Sequence, residues 1–301
     1  MGAAAVTRAR RALVTGATGF IGGHLARRLC ADGWDVSAVV RSGSTELPDA
    51  VTPLVHDGST DALIRIVGDT QPDVVFHLAS LFIAEHRPDE VVGLVRSNVE
   101  FGAQLLESMS LAGCSALVDA ATSWQHYEDA DYDPVCLYAA TKQAFSDIAR
   151  FYTSARGMRR VTLEIFDTYG PGDARPKLTA SLKAASDRGA VLEMSPGDQR
   201  IGLVHVDDVV DGFLIAAERV VGMPAGAAET FALDADVVLS LREVVDLWSK
   251  ATGRPAPVAW GARPYRQREV FAPATVVPRL PSWSPKIAPE QGFAEVFGSA
   301  G

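Results

Sequence analysis

VTGATGFIG, residues 14–22, decides how the rest of the chain is read. Gly16, Gly19 and Gly22 recur at three-residue spacing, directly after the apolar run Arg11–Thr15 (RALVT) and at the head of Phe20–Ala31, whose apolar residues fall at helical spacing. A strand that passes through glycines into a helix lets backbone approach a pyrophosphate closely. The helix N-terminus then offers free N–H groups and a favourable dipole to that charge. The pattern predicts a dinucleotide site, with a ligand-free tight turn as the plainer alternative.

Working outward, Gly33 stands where a helix C′ residue belongs, and Val36–Val40, Val51–Val55, Asp73–Leu78 and Ala116–Asp119 read as further short strands. Helical patterns lie between them, notably Glu90–Ser110. This alternation predicts an α/β fold, a doubly wound parallel sheet with helices on both faces. Beyond about residue 165 the regularity weakens, with Pro and Gly clustered at Gly170–Pro176 and across 253–289. One helix stands out there, Leu241–Thr252, with Ser240 as N-cap and Glu243 completing a capping box. Residues 1–165 are therefore expected to form the dinucleotide-binding domain. Residues 166–301 are expected to form mostly a smaller lobe, with segments returning to the sheet.

A chain of 301 residues, 48% hydrophobic and 22% charged, is ordinary for a globular protein. A net charge of -9 argues against a nucleic-acid or anionic-membrane surface. The three cysteines, Cys30, Cys114 and Cys136, are widely spaced, so no zinc site or disulfide framework is expected. With no secretory leader and no long apolar run, a cytoplasmic location is expected.

The second strand ends on Val40 and Arg41 with no acid to grip a ribose 2′-OH. Arg41, Ser42 and Ser44 suit a 2′-phosphate, so NADPH is favoured over NADH; the alternative is that Arg41 is a solvated surface residue. In CLYAATKQAF, residues 136–145, Tyr138 and Lys142 would share one helix face, one turn apart. An ammonium so placed would favour the phenolate and lower the tyrosine pKa.

TGATGFIG, DVVFHLAS, Asn98 in RSNVEFGAQLL, YAATK, YGPGD and HVDDVVDGF follow one another over almost the whole chain. Together they resemble the extended short-chain dehydrogenase/reductases, the NAD-dependent epimerase/dehydratase family that acts on nucleotide sugars. The resemblance implies a Rossmann domain with a small C-terminal substrate lobe, a nucleotide-diphosphate sugar as substrate, and a homodimer. It implies Thr122, Tyr138 and Lys142 as catalytic residues, although Thr122 could also be a strand-end hydroxyl capping a turn. The implied cofactor cradle takes in Gly16, Thr18, Gly19, Phe20, Ile21 and Gly22, then Arg41 and Ser42, then Asp57 and Gly58. It continues through Leu78, Ala79, Ser80 and Asn98, and includes Tyr138 and Lys142 themselves. For Asp57 a surface turn, and for Asn98 a solvated helix face, are the plain alternatives.

The run from Thr122 to Phe145, with FDTYGPGDARPKL and PYRQREV, is similar to enzymes that reduce CDP- or dTDP-4-keto-deoxyhexoses, abequose and paratose synthases among them. Dehydratases of the family carry Asp-Glu after the threonine; here Ser123 and Trp124 stand there. An epimerase suits an acid on the second strand, which is missing, and a dead dinucleotide sensor would have no need of the catalytic set. Ser123, Trp124, Lys177, Leu178, Arg266 and Arg268 are the expected substrate contacts, with Gln125 and His126 beside them in the sugar pocket. A solvated surface for the two arginines, and loop packing around a half-buried indole for Trp124, Gln125 and His126, are the plain alternatives. Two departures stand out: Asp167 replaces the usual Asn, and Ile201 replaces an arginine, with Arg200 one position away. His205–Asp208 reads as a helix start with Asp208 as N-cap, and no metal is expected.

Overall fold

The computed structural model describes residues 8–41 and 46–298. Its first half runs β1 (Arg11–Thr15), α1 (Phe20–Ala31), β2 (Asp35–Val40), β3 (Val51–Val55), α2 (Thr60–Thr70), β4 (Val74–His77), α3 (Val91–Val95), α4 (Phe101–Ala112), β5 (Ala116–Thr122), α5 (Leu137–Arg156) and β6 (Arg159–Ile165). The second half is more broken: β7 (Asp167–Tyr169), α6 (Leu178–Arg188), β8 (Leu192–Met194), β9 (Arg200–His205), α7 (Val206–Gly222), β10 (Ala228–Leu233), β11 (Val238–Ser240), α8 (Leu241–Thr252), β12 (Val258–Trp260) and α9 (Pro289–Phe297).

Seven strands make one parallel sheet in the order β10-β6-β5-β4-β1-β2-β3, a doubly wound Rossmann-type arrangement. Alternate side chains of each strand feed two cores. One core packs Val14, Val118, Val161 and Leu163 against Leu25 of α1 and Phe213 of α7. The other packs Leu13, Val75 and Leu117 against Leu63 of α2, Leu105 of α4 and Phe145 of α5. Strand β10 comes from the second half and pairs with β6. The remaining short strands form β11-β9-β7 and β12-β8, and a third core gathers Tyr169, Leu182, Trp248 and Phe293. The Ser240–Glu243 capping box on α8 is present in full.

Two helix expectations change. Glu90–Ser110 is not one regular helix, because a five-residue π-helical turn, Arg96–Glu100, separates α3 from α4. That turn carries Asn98, which is buried and bonded inward rather than solvated. Asp208 does not cap α7; His205 does, its Nδ1 accepting from the Asp207 N–H at 3.3 Å. The Asp208 carboxylate instead accepts from the Ile287 N–H at 3.0 Å, and the Asp208 carbonyl accepts from the Trp283 indole at 2.8 Å. Its role is to moor the C-terminal segment.

The glycine turn is sterically forced. Gly16 has φ +78°, and a Cβ there would lie 2.6 Å from the Ala79 nitrogen and 2.7 Å from the Leu78 carbonyl carbon. A Cβ on Gly22 would overlap the Gly16 carbonyl oxygen. Both obstructions are backbone, which cannot swing aside. Gly22→Ala is expected to cost about 1–3 kcal/mol, read as a midpoint several degrees lower in thermal unfolding. An unchanged midpoint would mean that the turn relaxes freely.

Candidate active site

Strands β1, β4 and β5 end side by side, and the site forms over their C-terminal edge. At the end of β1 the Thr15 hydroxyl accepts from the Ala79 N–H at 3.2 Å and hydrogen-bonds His77 Nδ1 at 2.8 Å. His77 is neutral: burial pushes its pKa down to about 3, and the Lys142 charge adds to that. This pair fixes Leu78–Ala79 against the glycine turn. Above it, α1 starts at Phe20 with no side-chain cap and no acid in its first turn, so the helix dipole meets an oncoming anion uncancelled. A tightly packed glycine turn that leads into an uncapped helix N-terminus fits a dinucleotide pyrophosphate.

Asn98 ties the wall after β4 to α5. Its carboxamide oxygen accepts from Leu81 N at 2.7 Å and from the Ser80 hydroxyl at 3.2 Å. Its nitrogen donates to the Leu81 carbonyl at 3.0 Å and to Thr141 Oγ1 at 2.9 Å, and Thr141 in turn donates to the Tyr138 carbonyl at 2.7 Å. The π-turn is the local distortion that aims Asn98 into this network.

Thr122, Tyr138 and Lys142 are all buried, at 7%, 9% and 4% exposure. Thr122 Oγ1 accepts from the Trp124 N–H at 3.3 Å, as a turn cap would, which leaves its own proton free to donate. Tyr138 departs from the sequence expectation. Burial pushes its pKa up to about 12, against smaller pulls from the Ser80 hydroxyl and the Arg175 cation. Its ring is walled by Phe82 at 5.0 Å between centroids, and Phe82 stacks in turn near Trp124 at 5.6 Å. Burial outweighs the pull of Arg175, which leaves the phenol protonated at neutral pH.

Lys177 Nζ lies 5.5 Å from the Phe82 ring and 3.4 Å from Asp167, so the carboxylate at the usual Asn position partners this lysine. Leu178 opens α6 beside it. Arg266 reaches Trp124 at 5.8 Å, whereas Arg268 is engaged by Asp133 at 2.5 Å and lies 4.1 Å over Tyr127. Arg200 turns along the sheet to donate to the Val238 carbonyl at 3.1 Å. Asp57 is exposed and accepts from Ser59 N and Oγ at 2.8 and 2.6 Å, the geometry of a surface turn, and Gly58 follows with φ +96°. Arg41 is exposed at the end of β2; Ser42 and Ser44 lie outside the described residues.

Arg175 is a site residue that the sequence reading passed over within GPGDARP. It pairs with Asp173 at 2.7 Å, donates to the Thr168 carbonyl at 2.9 Å, and lies 4.5 Å over Phe20 at the start of α1. Gln125 and His126 do not line the pocket. Gln125 is buried and donates to Gln143 at 2.8 Å, while His126 Nδ1 donates to the Ala130 carbonyl at 3.0 Å and Nε2 to Glu164 at 2.8 Å. Both face inward because β6 places Glu164 directly beside Ala121. Among the described residues there is no cluster of metal ligands and no helix long and apolar enough to cross a membrane.

The chain belongs to the NAD dependent epimerase/dehydratase family, which it matches over residues 12–228. Among curated relatives, it is 29% identical to a UDP-glucose 4-epimerase of Mycolicibacterium smegmatis, across 95% of this chain and 96% of that protein. It is 24% identical to a CDP-abequose synthase of Salmonella typhimurium, across 95% and 96%. Among solved structures, MoeE5 in complex with UDP-glucose and NAD superposes with a TM-score of 0.83 at 27% identity, covering 95% of this chain and 97% of that one.

Two acceptors on one imidazole require both nitrogens protonated, and His126 has its pKa raised, chiefly by Glu164. A folded pKa above the unfolded value of about 6.5 gives stability that is full below that pH and fades as pH rises through the folded value. Glu164→Gln is therefore expected to lower the unfolding midpoint most in acid, with the deficit shrinking towards pH 9. A deficit that does not vary with pH would mean an uncharged pair.

Proposed function

We propose that this chain uses NADPH to reduce the C4 ketone of a nucleotide-activated (CDP or dTDP) 4-keto-6-deoxyhexose. The observation that carries the reading is that Thr122, Tyr138 and Lys142 are all buried at the C-terminal edge of the sheet with no carboxylate directly after Thr122. The protonated Tyr138 hydroxyl is then the group that would supply the proton a reduced ketone takes up. Beside it, Thr122 has its hydroxyl proton free to polarise the carbonyl oxygen and stabilise the alkoxide that develops. Ser123 and Trp124 bring no carboxylate to that position, which leaves dehydration without its acid and base.

The dinucleotide supplies the hydride. The glycine turn and the first turn of α1 would hold its pyrophosphate, Lys142 its nicotinamide ribose, and Arg41 the 2′-phosphate that distinguishes NADPH. Lys177 and Arg266 are the cations best placed for the substrate diphosphate, while Phe82 and Trp124 give the sugar an apolar wall. The full-length likeness to a CDP-abequose synthase supports this substrate class. The likeness to a UDP-glucose 4-epimerase favours a second reading, in which the chain epimerises a nucleotide sugar and regenerates its own cofactor.

Purified protein is expected to consume NADPH in step with loss of an NDP-4-keto-6-deoxyhexose. Product formed with no net cofactor consumption would establish the epimerase instead, and neither outcome would sink both. Tyr138→Phe should lower kcat by roughly 100-fold or more while leaving circular dichroism unchanged.

A further inference from the structure

We propose that the buried pair Asp119–Arg160 is a positioning device for Lys142: it binds the helix carrying Tyr138 and Lys142 to the strand ending on Thr122, and it sets Lys142 beside one carboxylate already shared with another cation. Asp119 and Arg160 are 1% and 6% exposed. The contact is bidentate, Nε to Oδ1 at 2.7 Å and Nη2 to Oδ2 at 2.8 Å, and Thr162 donates to the same carboxylate at 3.1 Å. The guanidinium also reaches α5, donating to Ser146 Oγ at 3.0 Å and lying 5.3 Å over the Phe145 ring. Ser146 is one turn beyond Lys142 on that helix, and Asp119 lies three residues before Thr122 on β5.

Simple cohesion of β5 with β6 does not call for these charges. The two strands already share a seven-residue register, and the opposite face of the same strands is filled by Val118, Val161 and Leu163. Apolar side chains would bury there more cheaply than an ion pair. What sets this face apart is Lys142. Among the described residues no carboxylate lies within ion-pair distance of it. The charged and titratable groups facing it are Asp119 from β5, Arg160 from β6 and neutral His77 from β4; Asn98 and Thr141 are uncharged. Burial lowers the Lys142 pKa to about 8, Asp119 opposes that fall and Arg160 adds to it. Lys142 thus keeps its charge at neutral pH through Asp119, and the two members of the pair act on it with opposite sign.

The inference takes Lys142 as the cation of the proposed reaction, but its test needs neither substrate nor cofactor. With only five lysines in the chain, protein labelled with 13C at lysine Cε can be titrated by NMR, and Lys142→Met assigns the signal. Lys142 is expected to titrate near pH 8. Asp119→Asn should move that midpoint acidward by about one pH unit or more, and Arg160→Gln should move it alkaline. Asp119→Asn/Arg160→Gln together should place it between the two single variants. The alkaline limb of kcat in the NADPH assay should follow the same order. Single variants that shift the Lys142 midpoint in one direction, or not at all, would overturn the proposal. If Arg160→Gln fails to fold, the double variant must still titrate well above Asp119→Asn; equal midpoints would overturn it. A chain that reduces no sugar would leave this titration readable.

Discussion

The Gly16 carbonyl is the point on which the site depends. It occupies the space of a side chain on Gly22, and its own α carbon presses against the backbone of Leu78 and Ala79. One peptide therefore fixes two distances at once, from β1 to the start of α1 and from β1 to the loop after β4. Once those are set, the helix N-terminus can face only the C-terminal edge of the sheet. The Thr15–His77–Ala79 bonds lock the second of these contacts from below. The two outer glycines of the repeat serve this close approach of backbone to backbone, which any larger residue would pry apart.

The two faces of the main sheet are built to different rules. Under α1 and α7 the strands present a continuous apolar surface. Under α4 and α5 the surface mixes apolar residues with a buried polar set, Thr15, His77, Asp119, Arg160, Thr162 and Glu164. Every one of these has a partner: Thr15 with His77, Arg160 and Thr162 with Asp119, His126 with Glu164. Buried polar groups this dense are tolerable only when so completely satisfied. Part of this set, Asp119 with Arg160, also reaches α5, where Arg160 donates to Ser146.

What the sequence made legible was what local pattern encodes. The glycine turn, the alternation of strand and helix and the Ser240–Glu243 box depend on spacing within a few residues, whereas Thr122, Tyr138 and Lys142 are joined as a set only through the family resemblance. The misreadings share another cause. Asp208 draws its partner from Ile287 and His126 from Glu164, and Leu81 and Thr141, which decide between the two readings of Asn98, are likewise distant in sequence. Asp119 and Arg160 meet only because β5 and β6 adopt one register rather than the next. The direction of the Tyr138 pKa went wrong for the same reason. A lysine one turn away is visible in sequence; the burial of the phenol, with the Phe82 ring against it, is not.

The segment between Thr122 and Tyr138 has little slack. It is pinned by His126 to Glu164, by Asp133 to Arg268 and by Asp129 to Thr275, and it turns through left-handed backbone at Glu128 and Asp129. A residue inserted or deleted there would displace Thr122 relative to Tyr138 or break one of these anchors, whereas a ring at Phe82 or Trp124 can be exchanged without changing the length of backbone between the two.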